Sequence, residues 1–485
     1  MAKGKGKNRA LRVIAGIVAV LALAVLALVL FVDISRYRPR LETEASRVLG
    51  MDVQIRGEMK IEFFPPLGVS LADIHVSRRG ATVIRVERMR ASLKILPLLW
   101  SRVRFREVEL IRPQLSIQRT GSGPFAFDRY LSQPFRAARE ALPGTFHRID
   151  RLSVSGGIVS YTSKDSSIRA DVDGLELVIR DITFGESPGE DLFRSVSFSG
   201  SVKAARTAVG AWETSALASE MTAKNGNYEI HPVTLQAFGG TGEGSVWINL
   251  SVLTPLVHIQ FSQTGSDIGQ MYAAAGGKRG LLAGKADLSF NLFMKGEDPD
   301  ALAGTMTGDI SWKGNDLKVP DFDPDPLLSA IRKGKSTPLA RMGALLLPGP
   351  LFTAAAEGLL GPDTKGEKEG EEGLVRTLVS SWTIKDGMFA AEDAALATKR
   401  HRVALTGRID LPGGQFDNIV VVLVDDRGCA RAEQTVQGAF RLPRIAETIT
   451  AQGKEPTGKT PPSPEKPVPG EGCEVFYSGS VPPPQ

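Results

Sequence analysis

A catalytic or metal centre would be assembled from histidine, cysteine and acidic side chains, and in this chain they are thinly spread. The five histidines are His75, His147, His231, His258 and His401, and the closest pair, His231 and His258, stands 27 residues apart. No H-E-x-x-H pair puts two of them on one helical face for zinc, and Cys429 and Cys473 alone make too small a thiolate set. G-x-S-x-G, S-x-x-K and Walker patterns are all missing. The acid pair Asp425/Asp426 and the stretch "DFDPDP" sit in polar turns, where solvation accounts for them. The nearest thing to a phosphate loop is "FGGTGEGS", with Gly239, Gly240, Gly242 and Gly244. It lacks the G-x-G-x-x-G spacing and runs into "VWINL", a strand, where a phosphate loop needs a helix N-terminus. It reads as a strand turn. No catalytic, cofactor-binding or metal residue is assigned, and a role other than catalysis is expected. An anchored hydrolase would need a clustered nucleophile and base that the linear sequence does not show.

The elements around these residues are mostly strands. In "GKADLSFNLFMKG", Leu288, Phe290 and Leu292 alternate with Asp287, Ser289 and Asn291, giving one apolar and one wet face. Similar stretches recur along most of the 485 residues, and 51 glycines with 30 prolines mark many turns. In "SRVRFREVELIRPQLSIQ" the apolar phase slips twice, from Val103 and Phe105 to Val108 and Leu110, then to Leu115 and Ile117. A slip would turn the apolar side outward unless a bulge absorbs it, so irregularities are expected near Glu107 and Pro113.

The net charge of +5 comes from the start of the chain: without Lys3, Lys5, Lys7, Arg9 and Arg12, 54 basic residues face 54 acidic ones. The remainder shows no basic groove with interleaved aromatics, and no nucleic-acid partner is expected. Between Arg36 and Arg119, 17 basic residues stand against 9 acidic ones, either a solvated strand face or a surface for anionic headgroups.

"VIAGIVAVLALAVLALVLFV", residues 13–32, is uncharged and apolar. At about 1.5 Å per residue it spans roughly 30 Å, a bilayer's hydrocarbon core. It is longer than a signal-peptide core, and "FVDIS" offers no small-x-small cleavage site, so an uncleaved transmembrane helix is expected. The basic residues before it place the N-terminus in the cytoplasm and the bulk of the chain outside it.

The expected organisation is a basic cytoplasmic start (1–12), the transmembrane helix (13–32), a first β region (33–123), a central β region opening with a helical excursion (124–319), a helical and charged-loop insertion (320–373), a last β region (374–446) and a Pro-rich tail (447–485). "SRYRPRLETEASRVLG" reads as a short helix with Leu41, Ala45, Val48 and Leu49 on one face, stopped by Gly50. "PLLSAIRKG" and "TPLARMGALLLPGPLFTAAAEGLL" read as short apolar helices. Between the cysteines, "GKEPTGKTPPSPEKPVPGEG" cannot bury enough apolar surface to fold, yet it leads back to a strand-like "CEVFYSGSV". A Cys429–Cys473 bridge would tie that end down. In the chain-entropy model, closing a loop of 44 residues contributes roughly 4 kcal/mol. An oxidising compartment would permit it, and two unrelated thiols are the alternative.

The anchor followed by "DISRYRPRLETEASRVLGMDVQIRGEMKIEFFPPLGVSLADIHVS" resembles the opening of the AsmA family. "ILPLLWSRVRFREVELIRPQLSI" is the most specific piece, and "LLAGKADLSFNLFMKGEDPDALAGTMTGDISW", "LTGRIDLPGGQFDNIVVVLV" and "VQGAFRLPRI" are similar to later family segments. "WKGNDLKVPDFD" departs from the family pattern, and the paired-cysteine ending resembles that of some members. The resemblance implies a mainly β fold: an N-terminal transmembrane helix, then a long curled antiparallel sheet forming an open trough, with a few short helices. It further implies an inner-membrane, single-pass protein with its bulk in the periplasm, acting in outer-membrane and cell-envelope biogenesis. Its partners would be the inner membrane, phospholipids, and outer-membrane or periplasmic proteins, with no cofactor. Leu288, Phe290 and Leu292 would then face lipid. The alternative is a non-carrying periplasmic scaffold that affects outer-membrane protein assembly.

Overall fold

The computed structural model describes residues 34–62, 68–78, 81–94, 105–119, 148–163, 169–185, 192–277, 281–320, 323–333, 339–349, 352–360, 373–450, 473 and 475–484. The basic start, the apolar run 13–32, the excursion expected after residue 124, the charged loop 361–372 and the Pro-rich tract 451–472 lie outside them. Among the described residues, no helix is long and apolar enough to cross a membrane. The chain is mainly β. Its 21 described strands belong to one sheet, and every recorded pairing is antiparallel. Two compact units divide chiefly after Gly200.

In the first unit, helix α1 (Arg38–Leu49) ends at Gly50, whose φ of +63° suits a residue without a Cβ. Strands β1 (Asp52–Ile55) and β2 (Met59–Glu62) both pair with β3 (Gly68–Arg78), followed by β4 (Ala81–Leu93) and β5 (Phe105–Arg119). Ala45 and Leu49 of α1 pack on a core of Val53, Ile74, Val76 and Val86. Leu41, expected on the same face, is 42% exposed. The helix also guards the edge of β1: Ser46 Oγ accepts from the Val53 amide at 2.9 Å and Glu42 Oε1 from the Ile55 amide at 2.6 Å.

Both expected irregularities are present. Ser92 pairs with Glu107 but Leu93 with Phe105, so Arg106 is an extra residue beside Glu107. Arg112, next to Pro113, has a φ of +46°, uncommon for a residue with a side chain. Leu71 and Ile74 on β3 pack on the same core although three residues apart, and between them Asp73 has a φ of +50°. These left-handed residues absorb the change of phase, so the apolar side stays inward on both sides of the crease. Strands β6 (Arg148–Ser163) and β7 (Arg169–Thr183) and the single-turn helix α2 (Leu192–Ser195) follow.

Strand β8 (Ser197–Val209) leads into the second unit. There β9 (Trp212–Lys224), β10 (Asn227–Ala237), β11 (Gly240–Asn249) and β12 (Leu256–Asp267) form an up-and-down meander. It continues, after helix α3 (Ile268–Ala274), through β13 (Lys285–Lys295), helix α4 (Pro299–Gly304) and β14 (Thr307–Val319). Helices α5 (Pro324–Arg332), α6 (Ala340–Leu345) and α7 (Thr353–Leu360) come next. The meander then resumes with β15 (Gly373–Lys385), β16 (Met388–Ala397), β17 (Arg402–Asp410), β18 (Gln415–Val424) and β19 (Ala430–Ala439). Two short strands, β20 (Arg444–Ile445) and β21 (Ile449–Thr450), cover part of the free edge of β19. Among the described residues no pairing returns from these last strands to β9, so the meander they form is an open sheet.

Candidate functional site

Strand alternation sets the site. In β13, Leu288, Phe290 and Leu292 share one face with Ala286 and Met294, while Asp287, Ser289 and Asn291 point the other way. The pairings extend the apolar row sideways: Phe290 lies opposite Phe261 of β12 and Ile310 of β14, and Leu292 opposite Ile259. Val246 of β11 continues it beside Ile259, and Ile230 of β10 beside Val246. The rings of Phe261 and Phe290 are 5.6 Å apart. The three predicted residues therefore do sit together, on the β13 edge of a band crossing β10–β13.

The glycines of "FGGTGEGS" explain themselves here. Phe238 and Gly239, with φ of +52° and +71°, form the two-residue turn between β10 and β11, as the strand-turn reading expected. Gly242 and Gly244 face Phe261: a Cβ on Gly244 would come within 2.7 Å of the ring, and one on Gly242 would collide with it. Their missing side chains leave room for the ring across β11. This is a packing role, with no phosphate involved.

The same face is treated differently on the two halves of the meander. Across β10–β13 the apolar residues Ile230, Val246, Ile259, Phe261, Phe290 and Leu292 are all half-buried. Beyond β13 the face is dry. Leu328, Ile331, Leu339, Met342, Leu345 and Leu359 of α5–α7 and their approaches are at most 1% exposed, packed on Trp312, Leu378, Trp382, Phe389, Leu396 and Val421. The tryptophans and Ser380 in this core are satisfied: Trp312 Nε1 donates to the Leu347 carbonyl at 2.8 Å, Ser380 Oγ to the Leu346 carbonyl at 2.7 Å, and Trp382 Nε1 to Ser380 Oγ at 2.8 Å. The Tyr272 hydroxyl of α3, by contrast, is buried in the same core without a partner among the described residues. Gln434 accepts from the Ala340 amide at 2.7 Å and donates to the Ala446 carbonyl at 2.8 Å. The change occurs at the β13–β14 step, where half-buried Leu288 lies opposite Trp312, which is 1% exposed. The helices thus form a cap that seals one end of the apolar band.

The opposite face of β15–β18 is covered as well. The Cys429–Cys473 bridge forms, with Cα atoms 6.0 Å apart, and brings the C-terminal segment back onto the sheet. Tyr477 and Val481 pack on Val379, Ala395, Ala397, Ala404, Val422 and Val424. Small side chains there let the segment lie close. Tyr477 Oη and Ser480 Oγ both donate to Asp393, each at 2.6 Å. Burial pushes the Asp393 carboxyl up, but these hydroxyls and the Ser480 amide outweigh it and hold it below the usual aspartate range. The hydroxyl of Tyr477 is pushed up by burial and by Asp393. The run "NIVVVLV" in β18, apolar at successive positions, is the sequence signal for a strand buried on both faces.

Residues 6–213 match the AsmA family model. That stretch is a little under half of the 485 residues, and it holds the expected membrane segment, all of β1–β8 and the first residues of β9. The resemblance read from the opening of the sequence is thereby shown for this AsmA region, while the apolar band and its helical cap lie beyond it. No curated protein and no solved structure matches the chain.

Proposed function

We propose that this is an inner-membrane-anchored, periplasmic AsmA-like protein of outer-membrane and cell-envelope biogenesis. In this reading it binds and moves phospholipid acyl chains along the apolar face of β10–β13, without covalent change. The observation that carries the reading is the half-buried band around Phe261, Phe290 and Leu292, set beside a cap in which the same face is fully packed. The chain covers one half of the face with its own helices and leaves the other half for an occupant. Shielding an acyl chain there would contribute about 0.8 kcal/mol per buried CH₂. The apolar run 13–32 supports the anchor, and the AsmA match supports the envelope setting. Cofactors and nucleic acid have no part in it, and direction would come from partner proteins or from the membranes themselves.

A non-carrying scaffold is the second reading, favoured by the dry packing of β14–β19. Full-length protein, extracted in detergent and stripped of lipid, should acquire phospholipid from vesicles and carry it into native mass spectrometry. Protein that stays lipid-free under those conditions would leave the scaffold as the better account.

A further inference from the structure

The β16–β17 turn, the β18–β19 turn and the last residue of α5 converge on a cavity of about 290 Å³, closed on one side by Pro484 of the bridged tail. Its walls carry Arg332, Arg400, Arg402, Arg427 and Arg431 against only two carboxylates, Asp425 and Asp426, a balance of five positive to two negative charges. Asp425 is already engaged: it accepts from the Arg427 and Cys429 amides at 2.9 Å each and from Arg431 at 2.7 Å. Arg332, Arg400 and Arg427 are exposed and have no carboxylate partner among the described residues.

Arg402 differs from these surface arginines. It is 5% exposed, and its guanidinium donates only to carbonyls: to Val481 at 3.1 Å, Asp425 at 2.7 Å and Asp426 at 3.2 Å. Its Nε is buried with no partner, and the group lies 5.5 Å from the centre of the Tyr477 ring. A buried cation without a counter-charge is costly unless something anionic compensates it. The neighbouring His401 feels the same field. Burial lowers its basicity, Arg332 and Arg400 lower it further against the pull of Asp325, and its Nε2 lies 2.9 Å from Ser329 Oγ.

From this geometry we propose a binding site for a phosphate-bearing anion, with Arg402 as its fixed floor and Arg332, Arg400 and Arg427 as the arms that close on the ligand. Planar guanidinium forks match phosphate oxygens in pairs. The cavity has about ten times a water molecule's ~30 Å³ share of the liquid, which is room for a phosphate and part of its substituent. The group could arrive as a lipid headgroup or as free phosphate, and the recognising chemistry is the same. The site does not depend on the acyl-chain reading.

The test uses the full chain in neutral detergent micelles. Inorganic phosphate is titrated by calorimetry, and in a second arm micelles doped with phosphatidic acid are compared with micelles doped with phosphatidylcholine. The variant Arg400→Glu/Arg427→Glu should weaken binding roughly tenfold or more, because charge-assisted fork contacts are lost. The control Arg376→Glu/Arg408→Glu changes the charge equally on exposed residues of β15 and β17, and should bind like the parent. Binding of both probes, lost only in the site variant, supports a general phosphate site. Binding of phosphatidic acid alone, lost in the same way, supports the site with a headgroup as its source. No binding of either probe, or equal loss in both variants, overturns the proposal.

Discussion

Phe290 and Phe389 offer a direct comparison, because the same truncation should have opposite consequences at the two positions. Phe389 is 2% exposed, stacks edge-on against Phe352 at 5.0 Å and belongs to the sealed core under the cap. Removing a fully buried ring typically costs about 3–5 kcal/mol, the sum of lost transfer energy and an unfilled cavity. Phe290 is half-buried, touches Phe261 in the band and packs at the margin of the capped core, so its truncation forfeits only part of the transfer energy and leaves a smaller gap. About 1–2 kcal/mol is expected there. In a unit of this size roughly 2 °C of melting temperature corresponds to each kcal/mol, so Phe389→Ala should fall by about 6–10 °C and Phe290→Ala by about 2–4 °C. Lipid capture by native mass spectrometry should show the reverse order, with Phe290→Ala losing most of it and Phe389→Ala retaining it at temperatures where it is folded. Equal melting losses would mean that the band around Phe290 is as dry as the cap. Unchanged capture in Phe290→Ala would remove the acyl-chain reading altogether.

Cys429→Ser should cost roughly 4 kcal/mol if the reduced tail leaves the sheet, in line with the loop of 44 residues it frees. Limited proteolysis should then cut between residues 475 and 484, which the intact bridge protects. Asp393 gives the tail a pH dependence of defined sign. Its carboxyl is held below the ordinary value of 3.8, so its contribution is complete above that value and fades as pH falls through the folded-state value. Protection from hydrogen exchange at Tyr477 and Ser480, relative to the unstructured rate at the same pH, should fall on acidification below about pH 4, and Asp393→Asn should show low protection already at neutral pH with no further acid response.

Much of this was legible in the sequence because strand alternation is a local signal. The apolar triplet Leu288, Phe290 and Leu292 fixed a face, and phase slips in a single segment located the bulge at Arg106 and the left-handed Arg112. The cap was harder. "PLLSAIRKG" and "TPLARMGALLLPGP" announced short apolar helices, but which face they would cover depends on pairings such as Trp312 with Leu347, 35 residues apart, and Gln434 with Ala340. The arginine cavity was missed because its members come from three separate connections and each alone reads as a solvated turn. One signal was available: Arg402 opens β17 directly before the apolar "VALTG", between strands that read as buried on both sides.

The cap also constrains how any cargo could travel. Leu345, Leu346 and Phe352 occupy the apolar face at β14–β19 at no more than 2% exposure, and Trp312 stands at the step where the open band begins. An acyl chain lying on β10–β13 therefore has no continuous apolar path onto β14–β19. Its way on or off is at the end toward β9, because the strand ends at the β10–β11 turn are closed by α3, whose Ile268, Met271 and Tyr272 are at most 3% exposed and whose approach is tied down by the Asp267 amide donating to the Phe238 carbonyl at 2.8 Å. Moving lipid past the cap would require α5–α7 to lift from a core in which Trp312 donates to Leu347, just beyond α6, and Gln434 accepts from Ala340 of α6. A disulfide pinning α6 to the sheet should therefore leave lipid capture intact. If it instead abolished capture, the band would be filled through the cap and the dead end argued here would be a gate.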